Sequence, residues 1–192
     1  MPRPAQPLWF ALWASLVLAA CGAEVGEGSV VGSLLIPLCE GGEAADYVCT
    51  PEATCDAFDL GVDFFALETL GERVIIRLQR GGRSLGETDG LVIDIPQRGA
   101  LTLGTPLPVG PDGPVRVGLA VHGRCPESPQ SFRLTGTVVF EAFGTAGGDR
   151  VSAAFEALEV HDGRTDARLG LLRGAFDFRV AKGSTRQRYV DL

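Results

Sequence analysis

What most constrains this chain is the spacing of its apolar residues, which from residue 58 onward recur at every second position in run after run. Phe58, Leu60, Val62 and Phe64 alternate with Asp59, Gly61 and Asp63, and Val74, Ile76 and Leu78 alternate with Ile75, Arg77 and Gln79. Val115, Val117, Leu119 and Val121 repeat the pattern, as do Phe132, Leu134, Gly136, Val138 and Phe140, then Leu172, Gly174, Phe176, Phe178 and Val180. A period of two is the period of a strand, whose successive side chains leave opposite faces of a sheet. Between these runs stand Gly81-Gly82, Pro111-Asp112-Gly113, the stretch Gly144 to Asp149, and Asp162-Gly163, all of them turn chemistry. Five prolines between residues 96 and 114 make Leu101 to Leu103 and Leu107 to Val109 edge or loop pieces, because proline cannot donate to a ladder. Leu91 to Ile95 is a strand that stops at Pro96. Val30 to Leu38, closed by Pro37, is the first strand. Val151 to Val160 fits a helical face or a strand; its neighbours and the following turn favour a strand with a phase change near Ala157 or Leu158, as a bulge would give. These signals predict an all-β chain, an antiparallel β-sandwich of about eight or nine strands, with a β-barrel as the alternative. The Gly-x-x-x-Phe spacing of Gly136 to Phe140 returns at Gly174 to Phe178, an echo too short to define a repeat.

The first twenty residues follow a different grammar. Arg3 precedes an apolar run from Leu8 to Ala20 that ends in small residues, the organisation of an export signal. Thirteen residues fall short of the roughly 20 that span a bilayer. Leu18, Ala19, Ala20, Cys21 then resembles, residue for residue, the lipobox of bacterial lipoproteins. That resemblance implies cleavage before Cys21, a diacylglyceryl group on its thiol, and a membrane partner reached through that lipid. Gly22, standing where an aspartate holds enteric lipoproteins in the inner membrane, implies the outer membrane, on either its periplasmic or its cell-surface face. The β-rich body is also similar in texture to lipoproteins of high-GC bacteria, a likeness that implies no activity. The expected organisation is therefore a signal peptide over 1–20, a lipidated cysteine and short tether over 21–29, and one β-rich domain over 30–192.

Composition bounds the partners. Seventeen basic residues against 24 acidic give a net charge of −7, and removing residues 1–20, which hold only Arg3, makes it −8. Nucleic acid is excluded as a partner on that balance, since its recognition needs clustered lysine and arginine. Loops on a rigid sandwich commonly carry recognition, so a protein or envelope component is the expected partner. The chain has no asparagine, so neither an Asn-Gly hairpin nor an N-glycosylation site exists. Beyond Cys21, the four cysteines Cys39, Cys49, Cys55 and Cys125 form an even set in an exported chain, which reads as two disulfides with three connectivities open. Cys49 with Cys55 and Cys39 with Cys125 is the favoured pairing. Zinc is disfavoured because no Cys-x2-Cys pair occurs and no histidine lies near the first three.

Candidate chemistry is sparse. Gly82, Arg83, Ser84, Leu85, Gly86 matches the nucleophile-elbow string, but the string requires a helix after the serine, and a strand pattern follows instead. A hairpin loop explains it better. His122 and His161 are the only histidines, each near a turn; His161 with Asp162 is the one pair that could orient an imidazole as a general base requires. Asp59 with Asp63, and Asp162 with Asp166, lack the dense oxygen pattern of a calcium loop. No cofactor motif is present: neither a phosphate-binding glycine loop, a dinucleotide fingerprint nor a zinc-protease helix occurs. Phe58, Phe64, Phe65, Phe132, Phe140, Phe143, Phe155, Phe176 and Phe178 either fill a core or line an apolar cavity, and a core is the simpler use. The expectation is a non-catalytic binding or structural module of the cell envelope. A carrier of an apolar ligand and a serine hydrolase using Ser84 with His122 or His161 are the alternatives.

Overall fold

Alternation becomes architecture directly in β4, β7, β8 and β10, where each apolar run pairs with a neighbour whose apolar set faces the same way. The computed structural model describes residues 26–34, 58–80, 89–121 and 130–180. Its strands are β1 (Gly26–Leu34), β2 (Phe58–Asp59), β3 (Phe64–Leu70), β4 (Arg73–Gln79), β5 (Gly90–Ile95), β6 (Pro106–Val109), β7 (Arg116–Val121), β8 (Gln130–Phe143), β9 (Arg150–Asp162) and β10 (Arg168–Arg179). A single 3-10 turn, Arg98–Ala100, is the one helical piece among the described residues. The chain is thus all-β and antiparallel, as expected from its sequence. All ten strands belong to one sheet, ordered β2-β1-β10-β9-β8-β7-β5-β4-β3, with β6 paired to β8 alongside β7. β6 and β7 run the same way against successive halves of β8, so they form one line of sheet interrupted by the excursion at Gly110 to Val115.

The sheet is curled. Only four residues, Leu60 to Asp63, connect β2 at one end of the strand order to β3 at the other. So short a link forces the two ends together. The Leu60 N–H donates to the Val30 carbonyl on β1 at 3.0 Å, and the Asp63 N–H donates to the Gln79 carbonyl on β4 at 3.0 Å, so this corner is stitched to both sides. Gly61 turns it with φ +61°, and the Asp59 carboxylate accepts the Gly61 N–H at 2.9 Å. The sequence expectation of one strand across Phe58 to Phe64, carrying Asp59 and Asp63 on one face, is therefore corrected: the run is a corner between two strands. Phe65 and Leu67 take the inward positions beyond it, and Phe64 is half-buried.

Inside the curl lies one continuous core. Val74, Ile76, Leu78, Leu91, Ile93, Ile95, Val117, Leu119 and Val121 project into it from β4, β5 and β7, and Phe132, Leu134, Val138 and Phe140 from β8. The phase change predicted in β9 is present. Val151, Ala153 and Phe155 face inward, Glu156 and Ala157 are both exposed, and Leu158 and Val160 face inward again. The ladder to β10 shifts register at the same place, between Leu172 and Gly174, so two residues of β9 stand opposite Arg173 alone, which is a bulge. Gly136 on β8 and Gly174 on β10 flank that bulge. A Cβ on Gly136 would lie 2.5 Å from the Ala157 carbonyl oxygen, and one on Gly174 would lie 2.3 Å from that of Ser29 and 2.7 Å from the Phe155 ring. The Gly-x-x-x-Phe echo thus has a physical cause: both glycines make room on either side of one irregular strand.

Strand directions alternate, so strand ends collect at two rims. One rim carries the start of β1 at Gly26, the Gly71-Glu72 hairpin, the segment Pro96 to Thr105, the turn Gly144 to Asp149, and the end of β10. These pieces are joined: the Arg98 N–H donates to the Glu72 carbonyl at 2.9 Å, Gly104 N–H to Phe140 at 2.8 Å, and Gly148 N–H to Val180 at 2.8 Å. The opposite rim carries Leu34, Phe64, Val121 and the turn from Asp162 to Ala167. β1 begins four residues before the predicted Val30, so Gly26 to Ser29, read from the sequence as tether, pair with β10 from Phe178 to Ala175.

Candidate functional site

Cys21, Cys39, Cys49, Cys55, Cys125, Ser84 and His122 lie outside the described residues. His161 is described, and it stands in a polar cluster on the outer face of the sheet. The local reason is alternation: Leu158 and Val160 point inward from β9, so Glu159 and His161 stand together on the outside. Register then supplies partners, since Arg133 lies opposite His161 and Thr135 opposite Glu159. Thr135 Oγ1 and His161 Nε2 are 3.2 Å apart. His161 Nδ1 is 3.3 Å from the Asp166 carbonyl oxygen and 3.8 Å from its Oδ1. Glu159 Oε2 approaches Nε2 at 3.6 Å, while its Oε1 pairs with Arg168 at 3.3 Å. The Asp166 carboxylate is taken up by the Arg133 guanidinium. His161 is only 17% exposed beneath these groups.

His161 does not pair with Asp162, the arrangement that a general base at this place would need. Asp162 instead accepts the backbone N–H groups of Arg164 at 2.6 Å and Thr165 at 3.1 Å, folding the β9–β10 turn. Those hydrogen bonds, the one from Arg164 first, hold its carboxyl below the usual carboxylate range. Asp166 adopts φ +60°, a left-handed conformation that an aspartate tolerates better than most residues. This turn brings the Asp166 backbone, rather than Asp162, to the imidazole. Sequence inspection could find Glu159 by its i, i+2 spacing from His161. Thr135 and Arg133 were out of reach, because finding them requires the β8–β9 register.

Chemically, the cluster superficially has a hydroxyl, an imidazole and a carboxylate in line. Its wiring differs from that of a nucleophilic triad. The imidazole Nδ1 is nearer a backbone carbonyl than a carboxylate, the nearby Asp166 carboxylate is engaged by Arg133, and Nε2 faces Glu159 as well as Thr135. A triad needs the carboxylate to orient the base and a nucleophile whose only partner is that base. The arrangement ties β8, β9 and the β9–β10 turn together across one rim.

A second outward feature is a shallow trough of about 450 Å³ across β1, β10, β9 and β8. It exists because Ser29, Ala175 and Ala154 lie in register on adjacent strands and leave low ground between larger neighbours. Glu27, Glu141 and Asp177 form its walls, and Asp177 is held by a bidentate pair with Arg150, Nε lying 2.9 Å from Oδ1. That bond, with the Arg150 and Arg179 charges, keeps the Asp177 carboxyl below its usual range.

Among the described residues no group of three or more histidine, cysteine or acidic side chains is arranged to hold a metal ion. No described helix is long and apolar enough to cross a membrane. No protein-family model, curated protein or solved structure matches the chain.

Proposed function

We propose that this chain is a lipid-anchored bacterial envelope protein whose β domain works as a non-catalytic binding or structural module. The observation that carries the reading is the placement of Leu18-Ala19-Ala20-Cys21 at the end of a thirteen-residue apolar run, Leu8 to Ala20. Two or three acyl chains on Cys21 hold a protein on its membrane far more firmly than one, at about 0.8 kcal/mol per buried methylene. Gly22 favours the outer membrane as the destination, and Cys39 with Cys125 and Cys49 with Cys55 would form disulfides in that oxidising compartment.

The non-catalytic part of the reading is supported by how the described polar groups are used. His161 is enclosed by Thr135, Glu159 and Asp166. Seven of the nine phenylalanines that could have lined a ligand cavity, Phe58, Phe65, Phe132, Phe140, Phe155, Phe176 and Phe178, are buried together in the core, which favours a packed interior over a carrier's pocket. Phe143 packs on that core from its margin, edge-on to Phe140 with ring centroids 5.6 Å apart. Recognition then falls to the loops and the outer face. Labelled palmitate should enter the wild-type protein in a bacterial host and be absent from Cys21→Ser; undiminished incorporation in the variant refutes the anchor.

A further inference from the structure

The rim that carries the start of β1 also carries exposed leucines. Leu70, at the end of β3, is 52% exposed, and Leu103, in the turn before β6, is 51% exposed. Among the described residues the one other exposed large apolar side chain is Leu171, 37% exposed, which lies on β10 opposite Ser33 and away from this rim. The two leucines belong to one assembly, because the 3-10 turn after β5 bonds to Glu72 of the β3–β4 hairpin and Gly104 bonds to the end of β8. Neither is sequestered by its own fold. Leu70 closes β3 beside the Gly71-Glu72 hairpin and Leu103 lies in the turn before β6.

Chain length selects what covers them. β1 begins at Gly26, so five Cα steps separate it from Cys21. Fully extended, five steps reach roughly 17 Å. Leu34, the far end of β1, is separated from Gly26 by the length of that nine-residue strand in addition to that reach. A lipid on Cys21 would therefore hold the Gly26 rim, with Leu70 and Leu103, against the bilayer. Arg98, Arg150 and Arg179 at this rim are each engaged within it: Arg98 pairs with Glu72 at 3.5 Å, Arg150 with Asp177, and Arg179 donates to the Gly148 carbonyl at 3.1 Å. The contact is accordingly apolar and does not depend on anionic headgroups.

We infer that Leu70 and Leu103 form a second, orienting contact with the bilayer, dipping into the interface and standing the β domain on its Gly26 rim. The inference rests on the lipid-anchor reading of Cys21, and the experiment separates the two. The only tryptophans in the sequence, Trp9 and Trp13, precede Cys21, so the mature lipoprotein has none and an introduced one is its single tryptophan, selected over Tyr47 and Tyr189 by excitation at the red edge of the indole band. Leu70→Trp, Leu103→Trp and, as control, Leu171→Trp are prepared as full-length lipidated protein and reconstituted in phosphatidylcholine vesicles with brominated acyl chains. Leu70→Trp and Leu103→Trp should shift to the blue and lose about half or more of their emission, the depth expected of an interfacial side chain, while Leu171→Trp stays unquenched. Equal quenching at all three positions, none at Leu70 and Leu103, or quenching that appears only with anionic lipid overturns the orienting contact. Flotation reports the anchor independently: wild type should float with vesicles and Cys21→Ser should not. Floating protein without rim quenching removes this inference alone, and wild type that fails to float removes the anchor and the inference with it.

Discussion

The ring of Phe65 stacks on that of Phe178 with centroids 5.5 Å apart, although β3 and β10 are separated by five strands along the sheet. Beside them a Cβ on Gly28 would lie 2.9 Å from the Phe65 ring. No ladder joins β1 to β3 among the described residues. Side chains therefore close the curl where backbone hydrogen bonds do not. The closure is staggered, since Phe65 near the start of β3 meets Gly28 near the start of β1, although these strands begin at opposite rims. Such a stagger accompanies the tilt of strands in a barrel.

The first prediction concerns that seam. Phe65→Ala should cost about 3–4 kcal/mol, the range for removing a buried phenylalanine. Urea unfolding followed by circular dichroism measures it. A loss under about 1 kcal/mol would mean that the seam contributes little to closure. Gly28→Leu should destabilise by driving into the same ring, and a double variant with Phe65→Ala should recover part of that loss.

Glycine positions should separate by cause. Gly174→Ala places a methyl against both the Ser29 carbonyl and the Phe155 ring, and is expected to cost about 3 kcal/mol. Gly71→Ala meets nothing within 4 Å and is penalised only by its φ of +64°, about 1 kcal/mol. The ordering of the two unfolding midpoints checks the bulge assignment.

Acid should unfasten two surface devices. Asp162 is held below the ordinary carboxylate value of 3.8 by turn amides, and Asp177 by Arg150. A carboxyl whose folded-state pKa is depressed stabilises the fold above its unfolded value, and the contribution is lost as pH falls through the depressed one. Asp162→Ala and Asp177→Asn should therefore each lower the melting temperature slightly and by a constant amount at about pH 5 to 7, with the difference from wild type closing below the ordinary carboxylate range. A gap that instead widens on acidification contradicts the assignment.

For the outer-face cluster, Thr135→Val should cost about 1 kcal/mol as one hydrogen bond to His161 is lost. A fluorophosphonate probe should leave the protein unlabelled. Labelling that disappears in Ser84→Ala would establish a serine nucleophile and end the non-catalytic reading.

Much of this was legible in the residues. Alternation named the inward set of β4, β7, β8 and β10, and the broken alternation of β9 placed a phase change near Ala157 or Leu158, where the bulge at Glu156 and Ala157 stands, because burial of one face leaves a periodic trace and a bulge interrupts it. Where glycine takes the place of a side chain the trace fails. Gly26 and Gly28 gave no apolar signal, so the start of β1 was invisible and the tether was read as longer than the strand leaves it. The corner at Gly61 kept the alternation of a strand while turning between two.

By itself the sequence determined the strand class, the turns and the acidic balance, all of which are local or additive properties of residues. Only the tertiary structure decided which strands neighbour one another, and with that the partners of His161, the meeting of Phe65 with Phe178, and the placing of Leu70 and Leu103 on one rim. Each of these joins residues far apart in the chain, and such contacts follow from register and curl, which no local pattern of side chains encodes.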